Sequence, residues 1–350
     1  MKQGKDIVEL AKEIKRQAEG KRDFVLDTRS LNMTDDGQLE MSVDDTLTVD
    51  LTPHAHGQIA NRVGIPMPYY KRMQAEAPQL LATNVNTWFY DKPEPRMVRT
   101  LDSKARAFLS NRYRIIDHHE ILEAVLPIVG EMGEGIDIVS TEITDNRFYL
   151  KVINKRLELE VKKGDAVQAG FVISNSEIGL GAVRVEPLIY RLVCLNGMIA
   201  QDYSQKKYHI GRASASEEEA YELFSDQTLQ ADDYAFLSKV RDTVRAAVDL
   251  SKFSMIVERM RDATEQKIEG SPIKAVEIAS KTFSLNQGES DGVLNHLIRG
   301  GDLTAYGLLN AITRTAQDVP SYDRATELEG IGSKVLSLPA SSWKEIALAK

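Results

Sequence analysis

The hydrophobic period of this chain changes along its length, and that change restricts the folds open to it. Between residues 23 and 51, from Ile136 to Val161, and again from Gly170 to Val185, apolar residues recur at every second position. That is the period of a strand with one buried face. Beyond Ser214 the spacing lengthens to three or four residues, the period of an amphipathic helix. Strands gathered in one part and helices in another predict an α+β fold. We expect a mostly antiparallel sheet with packed helices in the middle of the chain and an all-helical C-terminal part.

Punctuation residues divide the chain further. Residues 5–19 carry a helical apolar stripe, and Thr52-Pro53 is an N-cap followed by proline at the first helical position. That helix stops at Gly64, and MPYYKRMQAEA predicts a second one. The pair reads as a helical hairpin rather than a DNA-binding helix-turn-helix, because Pro68 interrupts the would-be recognition helix and few basic residues follow. The Pro-rich run Tyr90–Pro95 marks a boundary. The expected parts are therefore 1–95 (α+β with the hairpin), 96–215 (central sheet) and 216–350 (acidic helices).

Within the central part, Asp145-Asn146 and Asn154-Lys155 read as chain reversals, and Asp117 as a helix N-cap with Glu120 as its capping-box partner. Gly170–Ala200 reads as strand, polar loop (Ser174, Asn175, Ser176, Glu177), strand, a short helix from Pro187, and a further strand. Leu188, Leu192 and Leu195 supply the helical spacing, and Asn196-Gly197 the stop. Further on, Ser216–Glu219 starts a helix, residues 233–268 hold one or two more, Ser271-Pro272 starts another, and Gly300–Asp302 breaks the chain.

Charge and composition narrow the function. The 350 residues carry a formal net charge of −8. The surplus acid lies mostly after residue 215, and residues 96–215 hold 17 Lys and Arg against 15 Asp and Glu. A locally basic groove on an acidic protein still attracts phosphates. The single Cys194 excludes an internal disulfide and suits a reducing cytosol, so a cytoplasmic protein is expected. No apolar run approaches the roughly 18–20 residues that span a bilayer, and the N-terminus lacks the apolar core of a signal peptide. Phosphate loops, dinucleotide glycine fingerprints, zinc-type Cys/His spacings and nucleophile elbows are absent, so neither cofactor nor metal is implied.

The densest basic run is RMVRTLDSKARAFLSNRYRIID. Strand alternation would set Lys104, Arg106 and Phe108 on one face, with Arg112, Tyr113 and Arg114 following. Cations beside aromatic rings suit single-stranded nucleic acid, because the cations hold phosphates and the rings stack on bases. Arg184, Tyr190 and Arg191 would join them if the two strands lie side by side. A second reading is a Mg-dependent nuclease built on Asp145, Glu160 and Lys162, in which carboxylates hold the ion and the lysine supports the attacking water. A third is an oligomeric interaction module with the acidic helices as its surface.

Four phrases resemble the phage-, prophage- and plasmid-encoded "domain of unknown function 932" proteins. They are SNSEIGLGAVRVEPLIYRLVCLNGM (Ser174–Met198), RAFLSNRYRIID (Arg106–Asp117), HGQIANRVGIPMPYY (His56–Tyr70) and TAYGLLNAITRTAQ (Thr304–Gln317). That resemblance implies a role in mobile-element DNA metabolism, defence or counter-defence. The chain is also remotely similar to Rad52-like single-strand annealing proteins, which implies a sheet packed on a helix and assembly of the homo-oligomer into a ring. The leading expectation is a non-enzymatic protein that binds single-stranded DNA in recombination or replication. A host protein partner belongs to the interaction-module reading.

Overall fold

Strand pairing produces two sheets rather than one. The computed structural model describes residues 1–113, 115–181, 183–200, 226–247 and 249–350. The chain divides into two compact units, a first of Met1–Ala11, Glu120–Asn175 and Ala182–Lys350, and a second of Lys12–His119 with Ser176–Gly181. The expected helix start at Ser216–Glu219 lies outside the described residues.

The second unit is assembled from the N-terminal elements. After α1 (Ile7–Gly20) come β1 (Arg22–Asp27), a 3-10 turn (Thr28–Ser30), β2 (Leu31–Met33), β3 (Leu39–Ser42) and β4 (Thr46–Leu51). Helices α2 (Pro53–Val63), α3 (Met67–Glu76) and α4 (Pro78–Asp91) precede β5 (Pro95–Leu101) and β6 (Lys104–Ser110). The strands form one sheet in the order β1-β5-β6-β4-β3-β2, antiparallel except for the β4–β6 pair. This sheet takes strands from both sides of the Pro-rich run, since all of β1 pairs with β5. Thr52 caps α2 through its hydroxyl, 3.2 Å from the Ala55 N–H, and Gly64 ends it at φ 72°, a left-handed value that glycine adopts without strain. Ile59, Tyr70, Met73, Leu81, Val85 and Phe89 from the three helices bury against Leu39, Met41, Val98 and Phe108 of the sheet.

Helix α5 (His118–Glu131), which counts to the first unit from Glu120 on, leads into that unit's strands β7 (Ile136–Ile143), β8 (Phe148–Lys162), β9 (Asp165–Asn175), β10 (Arg184–Arg191) and β11 (Asn196–Ile199). These five strands form an antiparallel meander in the order β11-β10-β9-β8-β7. Then follow α6 (Asp226–Ala247), α7 (Leu250–Glu265), α8 (Pro272–Phe283), α9 (Gln287–Gly300), α10 (Ala305–Thr315), α11 (Tyr322–Val335) and α12 (Ala340–Ala347). The starts of α7 to α11 obey capping chemistry: Asp249, Ser271, Thr304 and Ser321 each accept an N–H from the first turn, and Asn286 with Glu289 completes a capping box. Side-chain alternation splits the sheet's apolar residues. Val167, Ala169, Ile189, Met198 and Ala200 join one core with the C-terminal helices, while Ile153, Val172, Leu188 and Ile199 gather on the opposite face. The fold is α+β, and described residues beyond 225 contain helices but no strand.

Three local expectations are corrected. The single sheet expected within 96–215 is divided, because β5 and β6 pair with β1 and β4 instead of with the later strands. The helix predicted from Pro187 is strand β10. In an antiparallel ladder the N–H and C=O of one residue point to the same side. The Pro187 carbonyl accepts from Ala200 N–H at 2.9 Å, so the missing N–H faces the end of β11 and takes nothing from the β9 ladder. The helical spacing of Leu188, Leu192 and Leu195 is thus produced by a strand followed by a turn. Finally, Asn154-Lys155 is no reversal. The strand β8 runs through it with a register shift between Asn154 and Glu158, and the chain turns at Lys163-Gly164, where Gly164 has φ 79°.

Candidate nucleic-acid interface

The basic strand β6 does not present a row of open cations. Lys104 is exposed at its start, and Phe108 is buried, stacked on Phe89 with ring centroids 5.6 Å apart. Phe108 is therefore a core ring and offers no platform for a base. Arg106 donates to the Glu177 carboxylate at 2.9 Å. Arg112 is exposed in the turn that follows, and the half-buried Tyr113 donates its hydroxyl to the Ser176 carbonyl at 3.3 Å. Arg114 lies outside the described residues.

The other three candidates belong to the first unit. Arg184 is exposed at the start of β10, and the half-buried Tyr190 packs beside Leu188 and Val172. Arg191 is bidentate to Asp165, at 2.7 Å for both bonds, and its guanidinium lies 5.6 Å from the centre of the Tyr306 ring. Tyr306 donates to the same carboxylate at 3.0 Å. This closed triad ties β10 to α10. Because β6 and β10 lie in different sheets, the side-by-side strands on which a joint Arg106–Arg191 surface depended do not occur.

Arg106 enters instead a polar core of the second unit. Arg99 is fully buried and holds Asp23 through two bonds of 2.8 and 3.0 Å, Asp117 at 2.9 Å, and the Glu177 carbonyl at 2.8 Å. Lys21 lies 2.6 Å from Asp117 and 3.3 Å from Glu177. The His118 N–H, at the start of α5, donates to Glu177 at 2.8 Å. Among the described residues, three cations thus face three carboxylates. Burial by itself would raise the Glu177 carboxyl. The facing His118, Lys21, the His118 N–H and Arg106 outweigh that and hold it well below the usual carboxylate range. Burial lowers His118 to about 4, so its ring is neutral at pH 7 and the cations and the N–H carry the effect there.

A second grouping escaped the sequence reading. The register pairs Asp27 with Pro95 and Arg96 with Ser110, which brings the end of β1, the end of α4, the start of β5 and the end of β6 to one end of the six-stranded sheet. Trp88 is 39% exposed and Tyr90 68% exposed there. The Lys92 ammonium sits 4.9 Å from the centre of the Trp88 ring, and the Arg29 guanidinium 5.4 Å from that of Tyr90. Arg62 and Arg96 share the Glu94 carboxylate. Residues 27–29, 88–96 and 110–112, with Arg62, bring five cations against three carboxylates. Only Arg112 of this group was a candidate from sequence. The missed signal was Trp88-Phe89-Tyr90 followed by Lys92, hidden because a boundary was expected at that point.

The nuclease constellation is not assembled. Asp145 lies in the turn before β8, while Glu160 and Lys162 lie near its far end, on the order of 40 Å along the strand. Lys162 pairs with Asp302 at 2.6 Å, and Glu160 accepts from the Gly164 N–H at 3.2 Å. Among the described residues no group of three or more His, Cys, Asp or Glu is placed to hold a metal ion. None of the described helices is long and apolar enough to cross a membrane.

No curated protein and no solved structure matches this chain. A family described as "Domain of unknown function (DUF932)" matches residues 107–329, from the middle of β6 to the last turns of α11. That stretch covers well over half of the molecule and includes the whole five-stranded sheet, so the chain belongs to the DUF932 family.

Proposed function

We propose that the protein binds single-stranded nucleic acid, DNA in the first instance, without cleaving it, through the end of the six-stranded sheet that carries Arg29, Trp88, Tyr90, Lys92 and Arg112. The observation that carries this reading is the pair of exposed rings, each with a cation over it. An exposed ring stacks on any base, and a cation beside it meets the neighbouring phosphate, so such a surface is sequence-tolerant. This replaces the Arg106 strand face as the principal contact and keeps Arg112. A homo-oligomer acting in recombination or replication of a phage or plasmid completes the proposal, on the strength of the family resemblance.

Fluorescence anisotropy with labelled oligo-dT tests it. Trp88→Ala and Tyr90→Ala should each weaken binding by roughly 1–3 kcal/mol, about 5- to 150-fold. Lys92→Ala should shallow the salt dependence by about one phosphate contact. Absence of binding to any single-stranded DNA or RNA at low salt would refute the proposal. Light scattering with and without the oligonucleotide reads the assembly state.

A further inference from the structure

The segment Ser176–Gly181 leaves β9 and returns to β10, yet it belongs to the second unit and is gripped there. Among the described residues, the groups that reach its backbone oxygens and its carboxylate are donors. Tyr113 donates to the Ser176 carbonyl and Arg99 to the Glu177 carbonyl. His54 Nε2 at 2.8 Å and Gln58 Nε2 at 3.0 Å meet the Ile178 carbonyl, which can only accept. Lys21, Arg106 and the His118 N–H converge on the Glu177 carboxylate. One donor is left over: Arg106 Nε is buried with no hydrogen-bond partner. As placed, the Glu177 carboxylate engages Arg106 through Nη2 alone, whereas a phosphate, whose oxygens point in four directions, can take Nη2 and Nε together.

The charge count agrees. Without Glu177, the cluster holds, among the described residues, Lys21, Arg99 and Arg106 against Asp23 and Asp117, a surplus of one positive charge. One phosphodiester carries the same single negative charge as the carboxylate it would replace. The geometry points to a phosphate subsite formed by Lys21, Arg106 and the His118 N–H, with Glu177 as its tethered occupant. Phosphate enters when the segment releases, and the chain's own carboxylate competes with it. The link to nucleic acid rests on the proposed function; the phosphate chemistry does not.

Full-length Glu177→Ala is the test, with the wild type and Glu177→Ala/Arg106→Leu as references. Inorganic phosphate should raise the melting temperature of Glu177→Ala saturably, by several degrees beyond potassium chloride of equal ionic strength. The wild type and the double variant should respond to both salts alike. Oligo-dT and a mononucleotide then separate the sources of phosphate: tighter oligo-dT binding by Glu177→Ala, about tenfold over wild type, assigns the subsite to the polymer. Tighter binding of the mononucleotide alone assigns it to a free phosphate ester. Should neither protein bind oligo-dT while phosphate still stabilises Glu177→Ala, the nucleic-acid reading falls and the subsite stands. A folded Glu177→Ala that is blind to phosphate overturns the subsite, whatever the oligonucleotide does. If that variant does not fold, the isosteric Glu177→Gln replaces it. Failure of both to fold, with or without phosphate, assigns the carboxylate a purely structural role and also overturns the inference.

Discussion

Lys151 and Glu329 are both fully buried, with Nζ and Oε2 2.6 Å apart, and they join β8 to α11 in the first unit. The ammonium also lies 4.7 Å from the centre of the Tyr322 ring, and burial lowers the Lys151 pKa. Lys151→Met removes the charge and keeps most of the volume. At an effective dielectric of about 20, the attraction lost at this separation is about 6 kcal/mol, part of which relaxation recovers. The expected cost is about 3–5 kcal/mol, because Glu329, whose Oε1 has no partner, is left buried without its counter-charge. Glu329→Leu should cost a similar amount through the stranded ammonium. Lys151→Met/Glu329→Leu removes both charges and should lie within about 1–2 kcal/mol of the wild type. The chain has two tryptophans, Trp88 in the second unit and Trp343 in the first, so a Trp88→Phe background lets Trp343 report the first unit alone. Urea unfolding followed by its fluorescence gives the four corners of a double-mutant cycle. A double variant as unstable as the sum of the singles would show that the two charges are not coupled, and would refute the reasoning.

The second unit should lose stability in acid in two overlapping steps. His118 is depressed to about 4 from 6.5, so the unfolded chain binds the proton first, and about 3 kcal/mol is lost as pH falls from 6.5 towards 4. Glu177 is also depressed; its contribution is complete above about 4.5 and drains away as pH falls below that. His118→Gln should flatten the upper step in pH-dependent melting curves, and an unchanged slope would contradict the assignment. Gly170→Ala would set a Cβ 2.1 Å from the Val152 carbonyl on the neighbouring strand β8. Backbone cannot yield as a side-chain tip can, so a loss of about 3 kcal/mol or an unfolded product is expected by circular dichroism.

Element type was legible in this sequence wherever the signal was local. Thr52, Ser271, Thr304 and Gly64 act through bonds to their own helix turns or through their own φ, and they sit where capping rules place them. Period misled only when a turn imitated it: Leu188, Leu192 and Leu195 have helical spacing, but β9 and β11 hold Pro187–Arg191 extended. Recognition of the family likewise came from phrases visible without a structure, and its match over residues 107–329 bears that out.

Only the arrangement in space gave each arginine its surroundings. Arg106, Arg191 and Arg112 look alike in sequence. Glu177, 71 residues away, neutralises the first; Asp165, 26 residues away, neutralises the second; the third lies exposed in a turn at the end of the sheet. The sheet register sets Trp88, Tyr90 and Arg29 at the end that carries Arg112, although α4 and β1 are far apart along the chain. Periodicity and capping depend on neighbours within about one turn, so the α+β character, the starts at Thr52 and Ser271 and the family could be read from the chain alone. Ion pairing depends on distance in space, and a single strand placed in one sheet rather than another changes which carboxylate each arginine meets.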